Sequence, residues 1–264
     1  MSEKKFIRSS IPILNQSYPK KHKGIFISVI VPVFNEEKIV AQTMSEIVSY
    51  LNKQTYTWEL LIVDDGSTDK TLMIAKKNQK TTNNKNIKII ELTHEGKGWA
   101  IKNGMLASTG LLKFMCDADL SMPIHNLQNF INNFNSKSEI IIGSRTQQNS
   151  QRHGESIFRQ IRSKVFNIIV RSILPIPYKD TQCGFKCFTK DAAEKLFHLQ
   201  QLKGFSFDVE ILFLANKLGI KINELPITWE HKEQSQVSSI KDSLKMLIDV
   251  FKIRISHKNY SDQK

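Results

Sequence analysis

The alternation of short apolar segments with helical patterns is the feature of this sequence that most limits its fold. The first helical patterns cover residues 36–51, 68–78 and 97–107, and Asn35 and Ser67 precede the first two as predicted N-caps. Apolar strands separated by helices are typical of a parallel sheet covered on both faces, so we expect an α/β fold. The five predicted strands are FISVIVPVF, WELLIVDD, NIKIIEL, LLKFMCDAD and SEIIIGS.

The pattern changes after residue 145, where longer helices and shorter strands are expected. We expect a tail over residues 1–24, one α/β domain over 25–235, and an amphipathic basic helix with a tail over 236–264. The later predicted elements are a helix over 157–174, a strand or a loop followed by a strand over 181–189, helices over 191–197 and 208–218, a strand pair or bent strand over 220–231, and a helix over 239–255.

The composition excludes several classes of protein. The 264 residues are 40% hydrophobic and 24% charged, so the chain can bury a core without disulfide or metal support. No stretch approaches the roughly 20 apolar residues of a membrane-spanning helix, and the N-terminus lacks the apolar centre of a secretory signal. Three cysteines, Cys116, Cys183 and Cys187, indicate reduced thiols, and we expect a cytoplasmic protein.

The net charge of +13, from 38 Lys and Arg against 25 Asp and Glu, favours an anionic partner. Nucleic acid, an anionic membrane surface and a phosphorylated substrate all fit this charge. Nucleic-acid binding ranks far lower because the aromatic residues fall mostly within apolar patterns. The helices predicted over 157–174 and 239–255 carry apolar stripes among basic residues, which suits either a membrane interface or packing on the domain.

Polar motifs follow four of the predicted strands, at residues 32–36, 64–67, 117–119 and 143–145. Ligands of open α/β sheets bind outside the carboxyl ends of the strands, so we expect these motifs to meet at one edge. Asp117 and Asp119 together can hold Mg²⁺ or Mn²⁺ and bridge it to a diphosphate, although a solvated turn could have the same short sequence.

The remaining candidate residues are acidic or basic groups in loops and at helix starts. One of the adjacent Asp64 and Asp65 can accept a hydrogen bond from a base or a ribose hydroxyl, or the segment only connects a strand to a helix. Lys97, between two glycines, can neutralise phosphate, or the segment is simply a loop that enters a helix. Arg145, Arg159 and Ser163 can bind phosphate or form a solvated basic face, and Asp208 and Glu210 can favour a helix N-terminus.

Seven motifs between about Ile27 and Arg254 together resemble the inverting family 2 glycosyltransferases with the GT-A fold. Within that family they are similar to the polyprenyl-phosphate glycosyltransferases, and to the dolichyl-phosphate β-glucosyltransferase branch more than to the mannose branch. The resemblance implies a Rossmann-like, mostly parallel central sheet flanked by helices, with a C-terminal extension on the acceptor side. The motifs are VIVPVFNEE, VDDGSTD, GKGWAIKNGM, DADLS, IIGSR, DTQCGFKCFT and FSFDVEIL.

The resemblance implies transfer of a hexose, with glucose from UDP-glucose favoured, to a polyprenyl or dolichyl phosphate, with Mg²⁺ or Mn²⁺ as cofactor. The enzyme would then work as a peripheral protein on the cytoplasmic face of a membrane. A phosphate acceptor is already an anion and hardly needs a general base. A glycan or other hydroxyl acceptor is the alternative, with Asp208 or Glu210 as base, and a nucleotide-sugar binder without turnover is a further one.

The resemblance also assigns residues to the two substrates. Two positions differ from the family pattern: Ser121 stands where some relatives have a glutamine, and Gln236 where several have a lysine. The residues implied for the nucleotide sugar are Pro32, Phe34, Glu36, Asp64, Asp65, Lys97 and Asp117, with Asp117 and Asp119 as metal ligands. The residues implied for the acceptor phosphate are Arg145, Arg159 and Ser163, and those facing the sugar are Asp180 and Gln182.

Overall fold

A seven-stranded sheet forms the centre of the molecule in the computed structural model, which describes residues 24–134, 138–154, 157–230 and 240–258. The strand order is β3-β2-β1-β4-β7-β5-β8, and β7 alone runs antiparallel to its neighbours. The sheet strands are β1 Ile27–Val33, β2 Trp58–Asp64, β3 Ile87–Glu91, β4 Leu112–Met115, β5 Ile140–Ser144, β7 Lys186–Thr189 and β8 Ile222–Pro226. A separate parallel pair consists of β6 Gln151–His153 and β9 Thr228–Glu230.

Helices cover both faces of the sheet, which confirms the predicted α/β fold. On β1, Val29 and Val31 face one core cluster with α1 and α4, whereas Ile30 faces a second cluster with α3, α6 and α7. Because successive residues of β1 face different clusters, both faces of the strand are buried, and this explains why it is apolar at nearly every position. The helices are α1 Val40–Leu51, α2 Thr71–Thr82, α3 Lys97–Ala107, α4 Leu127–Asn132, α5 Ile157–Ile173, α6 Lys190–Leu199, α7 Phe207–Lys217 and α8 Ile240–Ser256.

A third apolar cluster joins the C-terminal half of the molecule. Val170 of α5, Phe213 of α7 and Val250 of α8 belong to it, so α8 packs against the rest of the chain through one face. None of the helices in the described ranges is long and apolar enough to cross a membrane.

Several predicted boundaries differ from the structure. The first helix begins at Val40 instead of residue 36, and the second begins at Thr71 instead of residue 68. Of the two alternatives for residues 181–189, the structure shows a loop followed by a strand that begins at Lys186. The short helix α4 was not predicted. Of the expected tails, residues 1–23 and 259–264 lie outside the described residues, as does Gln236.

Candidate active site

The candidate site forms where β1, β2 and β4 end. These strands run in parallel, and their pairing places Val33 beside Asp64. The loops that follow therefore meet at one edge of the sheet, as the sequence predicted for residues 32–36, 64–67 and 117–119.

The loops after β1 and β2 interlock through two side chains that the sequence suggested as helix caps. The Asn35 side-chain oxygen accepts from the Thr68 N–H at 2.8 Å, and the Ser67 hydroxyl accepts from the Asn35 N–H at 2.9 Å. Neither residue caps the helix that follows it, so both cap predictions were wrong. Each side chain instead satisfies the backbone of the other loop, an arrangement that requires the two strands to be neighbours.

Asp65 holds the loop that leads into α3. Its carboxylate accepts from the backbone N–H groups of Glu95 and Gly96 at 3.1 and 2.8 Å, and His94 Nδ1 lies 2.8 Å from Asp65 Oδ2. The His94 ring stacks on Phe34, with centroids 3.9 Å apart and planes 17° apart. His94 is a candidate site residue that the sequence analysis missed, because its place beside Phe34 depends on Asp65.

Only one of the two carboxylate oxygens of Asp64 has a hydrogen-bond partner in the described part of the chain. Its Oδ2 accepts from the Ser67 N–H at 3.0 Å, whereas its Oδ1 has no hydrogen-bond partner among the described residues. Asp64 is only 2% exposed, and leaving a buried acceptor unsatisfied has a free-energy cost. A ligand N–H or hydroxyl would satisfy it.

Asp117 lies between the ammonium group of Lys97 and the backbone of Gly184. Lys97 Nζ is 2.6 Å from Asp117 Oδ1. A Cβ atom added to Gly184 would come within 2.2 Å of Asp117 Oδ2, so any side chain there would displace the carboxylate. Gly184, far from residue 117 in the sequence, is therefore part of what positions this acid.

Lys97 keeps its charge because of the acids around it. Burial by itself lowers the pKa of Lys97, but the carboxylates of Asp117 and Asp208 outweigh burial and raise this pKa above its usual value. Asp208 lies 2.5 Å from the buried ammonium group of Lys186. Burial raises the pKa of Asp208 despite Lys186 and Lys97. Lys186 was not predicted from the sequence.

The chemistry of the acids near Asp117 suits a divalent cation. Burial and the negative charge of Asp119, Asp69 and Asp117 raise the pKa of Glu36 to about 7. Asp119 accepts from the N–H and hydroxyl of Ser121 at 2.9 and 2.7 Å. Carboxylate oxygens are ligands that Mg²⁺ and Mn²⁺ accept. Within the described ranges, no group of three His, Cys, Asp or Glu side chains is arranged to hold a metal ion.

Arg145 and Asp180, which the resemblance assigns to different substrates, bind each other. The Arg145 guanidinium donates two hydrogen bonds to the Asp180 carboxylate at 2.8 Å, and the Arg145 N–H donates a third at 2.9 Å. Burial raises the pKa of Asp180, but Arg145 outweighs it and lowers this pKa to about 2. The Arg145 guanidinium also lies 5.8 Å from the centre of the Trp229 ring.

The other predicted site residues are distributed over α5, α7 and the loop before β7. Gln182 Nε2 lies 3.9 Å from Met246 Sδ of α8. Ser163 lies on α5, and its carbonyl accepts from Asn167. The side chain of Arg159 lies outside the described part of the structure.

Glu210 is buried, and its contacts are with the segment before α7 and with the residue just after α8. It accepts from the backbone N–H groups of Gln201 and Leu202 at 3.0 and 2.8 Å, and lies 2.7 Å from His257 Nε2. These contacts attach α7 to the end of α8.

Comparison with known proteins identifies relatives that share most of this chain. Residues 28–197 match Glycosyl transferase family 2. A dolichyl-phosphate beta-glucosyltransferase of Dictyostelium discoideum is 32% identical over 247 residues, which cover 89% of this chain and 75% of that protein. The proteins of the same name from Homo sapiens and Saccharomyces cerevisiae are 32% and 33% identical, and the chain covers 75% and 80% of them.

Solved structures with the same fold are more distant in sequence. Glucosyl-3-phosphoglycerate synthase from Mycobacterium tuberculosis, in complex with Mn²⁺, UDP-glucose and phosphoglyceric acid, superposes with a TM-score of 0.63 at 16% identity. The superposition covers 91% of this chain and 82% of that one. At this identity the similarity supports the fold, which is the GT-A architecture expected from the sequence.

Proposed function

The chain belongs to glycosyl transferase family 2, and from that premise we propose that it transfers glucose from UDP-glucose to a polyprenyl phosphate such as dolichyl phosphate. The names of relatives that share most of its length support this acceptor and this sugar. The observation that carries the proposal is the contact between Lys97 and Asp117, 2.6 Å apart where β4 and the start of α3 meet. An ammonium group beside a carboxylate that would hold a metal ion provides two positive charges that could bind a diphosphate.

The nucleotide end of the donor would lie against the loops after β1 and β2. Asp64 Oδ1, buried and without a partner among the described residues, would accept from the base or the ribose. The stacked rings of Phe34 and His94 would give a base an aromatic surface to stack on. Pro32, Glu36 and Asp65 would shape this end, and Asp65 would do so by fixing the 94–96 backbone.

Asp117 and Asp119 would hold Mg²⁺ or Mn²⁺, and the ion when bound would neutralise charge on the diphosphate. Lys97 would stabilise the same leaving group through the positive charge of its ammonium group. Its pKa is raised by neighbouring carboxylates after burial is overcome, so Lys97 remains a cation over the working pH range.

The acceptor would approach from the side of Arg145, Arg159, Ser163, Asp180 and Gln182. A polyprenyl phosphate is an anion and can attack the anomeric carbon in line, with inversion and without a general base. The Arg145–Asp180 pair would present one ordered guanidinium edge beside the acceptor. We further propose that the protein meets this lipid as a peripheral protein at a membrane surface.

A hydroxyl acceptor is the second candidate, and one observation favours it. Asp208 is a buried carboxyl group whose pKa is raised by burial, which suits a general base near the site. Glu210 is a weaker candidate because His257 and two backbone N–H groups occupy it. If replacing Asp208 reduced transfer by more than the loss of its contact with Lys186 explains, the result would favour a hydroxyl acceptor.

The test is transfer of radiolabelled sugar from a panel of nucleotide sugars to a short polyprenyl phosphate, with Mn²⁺, with Mg²⁺ and with EDTA. We expect metal-dependent label in the organic phase from UDP-glucose, and a loss of about 100-fold or more in Asp117→Ala. Glu46→Ala, on the exposed side of α1, is the matched control and should retain activity. In a parallel assay that offers glycans in place of the polyprenyl phosphate, label transferred only to a hydroxyl would support the second candidate, and no turnover of any donor would refute both.

A further inference from the structure

Six of the eight large hydrophobic side chains exposed among the described residues lie on α5 and α8. The other two, Met73 and Leu111, lie apart on α2 and just before β4. Exposed apolar side chains scattered singly need no explanation, but a concentration on two helices marks an interaction surface. The six, exposed by 49–73%, are Ile161, Val165, Ile168, Ile248, Phe251 and Ile255.

The spacing of these residues forms one stripe on each helix. On α5 the exposed residues follow at intervals of four and three, and on α8 at intervals of three and four. Residues at such intervals share a helix face. Each helix therefore has an apolar outer stripe in addition to the apolar face that it buries.

The two stripes point outward from the same layer of the molecule. The inner faces of α5 and α8, through Val170 and Val250, enter one cluster with Phe213 of α7. The helices also contact each other, because the Arg254 guanidinium donates to the Ile173 carbonyl at 2.9 Å. In helical projection each stripe lies opposite its inner face, so both stripes face away from α7.

The charge on the two helices is strongly positive. Each helix carries four Lys or Arg residues, α5 has no acid, and α8 has two aspartates. One of these, Asp249, is buried and bonded to Ser206 and Lys252. The exposed cations on the described part of the two helices and just beyond them are Lys164, Arg171, Lys245, Lys252, Arg254 and Lys258.

We infer that the outer faces of α5 and α8 form one docking surface for an anionic lipid bilayer; this rests on the proposed lipid acceptor. Apolar side chains framed by lysine and arginine bind the boundary between acyl chains and negatively charged headgroups. We call this the α5–α8 surface. A second copy of the chain fits less well, because symmetric pairing would oppose two basic faces. Residues 1–23 carry six Lys or Arg and one Glu, so their charge also disfavours them as a cover.

Helices α5 and α8 also contact the loop before β7, which lies on the acceptor side of the candidate site. Asn167 of α5 accepts from the N–H and hydroxyl of Thr181 at 3.2 and 2.8 Å, and Met246 of α8 contacts Gln182. Two residues further along, Gly184 lies against Asp117. A bilayer on the α5–α8 surface would thus lie on the outer side of the two helices whose inner sides contact the loop before β7.

The experiment measures cosedimentation of the full chain with vesicles of phosphatidylcholine alone and with added phosphatidylserine. We expect binding to the anionic vesicles that weakens with salt. Ile168→Glu combined with Phe251→Glu should reduce the partition coefficient by about tenfold or more. Met73→Glu, which makes the same kind of change at a 60% exposed residue of α2, is the control and should bind as the wild type does.

A second measurement reports insertion directly. In the single variant Phe251→Trp, the added indole should give an emission that shifts to the blue with anionic vesicles and is quenched by brominated acyl chains. Equal vesicle binding by the wild type and the double variant would overturn the inference. So would an emission spectrum of Phe251→Trp that anionic vesicles leave unchanged, or a dimer in light scattering that the double variant dissociates while lipid binding persists.

Transfer to a short, detergent-dispersed polyprenyl phosphate separates this inference from the proposed function. The double variant should match the wild type in that assay, because none of its changes lies in the candidate site. Transfer by neither protein, together with intact vesicle binding by the wild type, would refute the proposed function and leave the docking surface standing.

Discussion

The ammonium group of Lys97 contacts the carboxylate of Asp117, which we propose as a metal ligand. Its ammonium group is 2.6 Å from Asp117 Oδ1, and the pKa of Lys97 is raised because nearby carboxylates outweigh burial. A divalent cation at Asp117 would therefore compete with an ammonium group that is already there. Such competition would couple the binding of the ion to the binding of a diphosphate, because the diphosphate would give Lys97 another anionic partner.

Replacing Lys97 by Met should separate the two contributions of this residue. We expect transfer to fall by about 100-fold, because a charge that stabilises the leaving group is lost. Affinity for Mn²⁺ without nucleotide should rise, because no ammonium group competes. Mn²⁺ titration followed by electron paramagnetic resonance measures this affinity. Lys76→Met, which breaks a 2.6 Å pair with Glu91 outside the site, is the control; weaker Mn²⁺ binding in Lys97→Met would contradict the competition.

Asp180 should make the molecule sensitive to acid. Burial raises its pKa, but Arg145 outweighs burial and lowers the folded-state pKa to about 2, below the ordinary value of 3.8. The unfolded chain therefore binds a proton first as the pH falls. The stabilisation by this carboxylate is present above about pH 4 and is lost as the pH falls towards 2.

The variant Asp180→Asn should lower the free energy of unfolding by about 2 kcal/mol at neutral pH. Its stability should then change less than that of the wild type between pH 6 and 3. Urea unfolding at a series of pH values, followed by circular dichroism, tests this. Asp191→Asn, at an exposed position in the first turn of α6, is the control and should lower the free energy of unfolding by less than Asp180→Asn does. Parallel curves for Asp180→Asn and wild type would refute the assignment.

At the scale of elements, the loops after β1 and β2 act as one unit. Asn35 has a φ of +55°, a left-handed conformation that asparagine tolerates better than most residues. Its side chain binds the backbone at Thr68 and Asp69, while Ser67 binds the backbone of Asn35. Helices α1 and α2 therefore begin later than their sequence patterns indicate, because the residues before them form this link.

Two substitutions at Asn35 should separate conformation from hydrogen bonding. Asn35→Ala should lower the free energy of unfolding by about 1–2 kcal/mol, since it loses the link and strains the positive φ. Asn35→Gly should cost less, because glycine adopts this φ freely. Thermal unfolding of the two variants measures the difference. Equal destabilisation by both would mean that the conformation contributes nothing.

At the scale of the whole molecule, α8 is linked to the α3 side of the site through Glu210. His257, fully buried just after α8, contacts Glu210, which also holds the backbone of residues 201–202. The Leu202 carbonyl lies 2.9 Å from the position of a Cβ atom on Gly98, beside Lys97. The end of the chain and the start of α3 are thus connected by a short series of contacts.

Removing His257 should lower the stability of the molecule. We expect His257→Ala to lower the free energy of unfolding by about 2–3 kcal/mol, because a buried carboxyl group loses a partner. A double-mutant cycle with Glu210→Gln should give a non-additive result, since the two residues are in contact. His198→Ala, at an exposed position on α6, is the control. Additive effects in the cycle would show that the contact does not contribute.

The sequence by itself determined the class of fold and the edge of the sheet at which the site forms. Strands apolar along their length require cover on both faces, and parallel strands bring their carboxyl ends together. Asp64, Lys97 and Asp117 could therefore be found from their places after strands and before a helix. The alternating patterns depend on local periodicity, which the chain carries without any tertiary contact.

Only the tertiary structure decided which groups pair and which helix faces are covered. Gly184 meets Asp117, and Arg145 meets Asp180, across sequence distances that no local pattern spans. The apolar stripe of α5 was expected among basic residues, but its burial could not be read from periodicity. A helix with apolar residues on two sides can bury either one, and the contacts with α7 select the side that remains exposed.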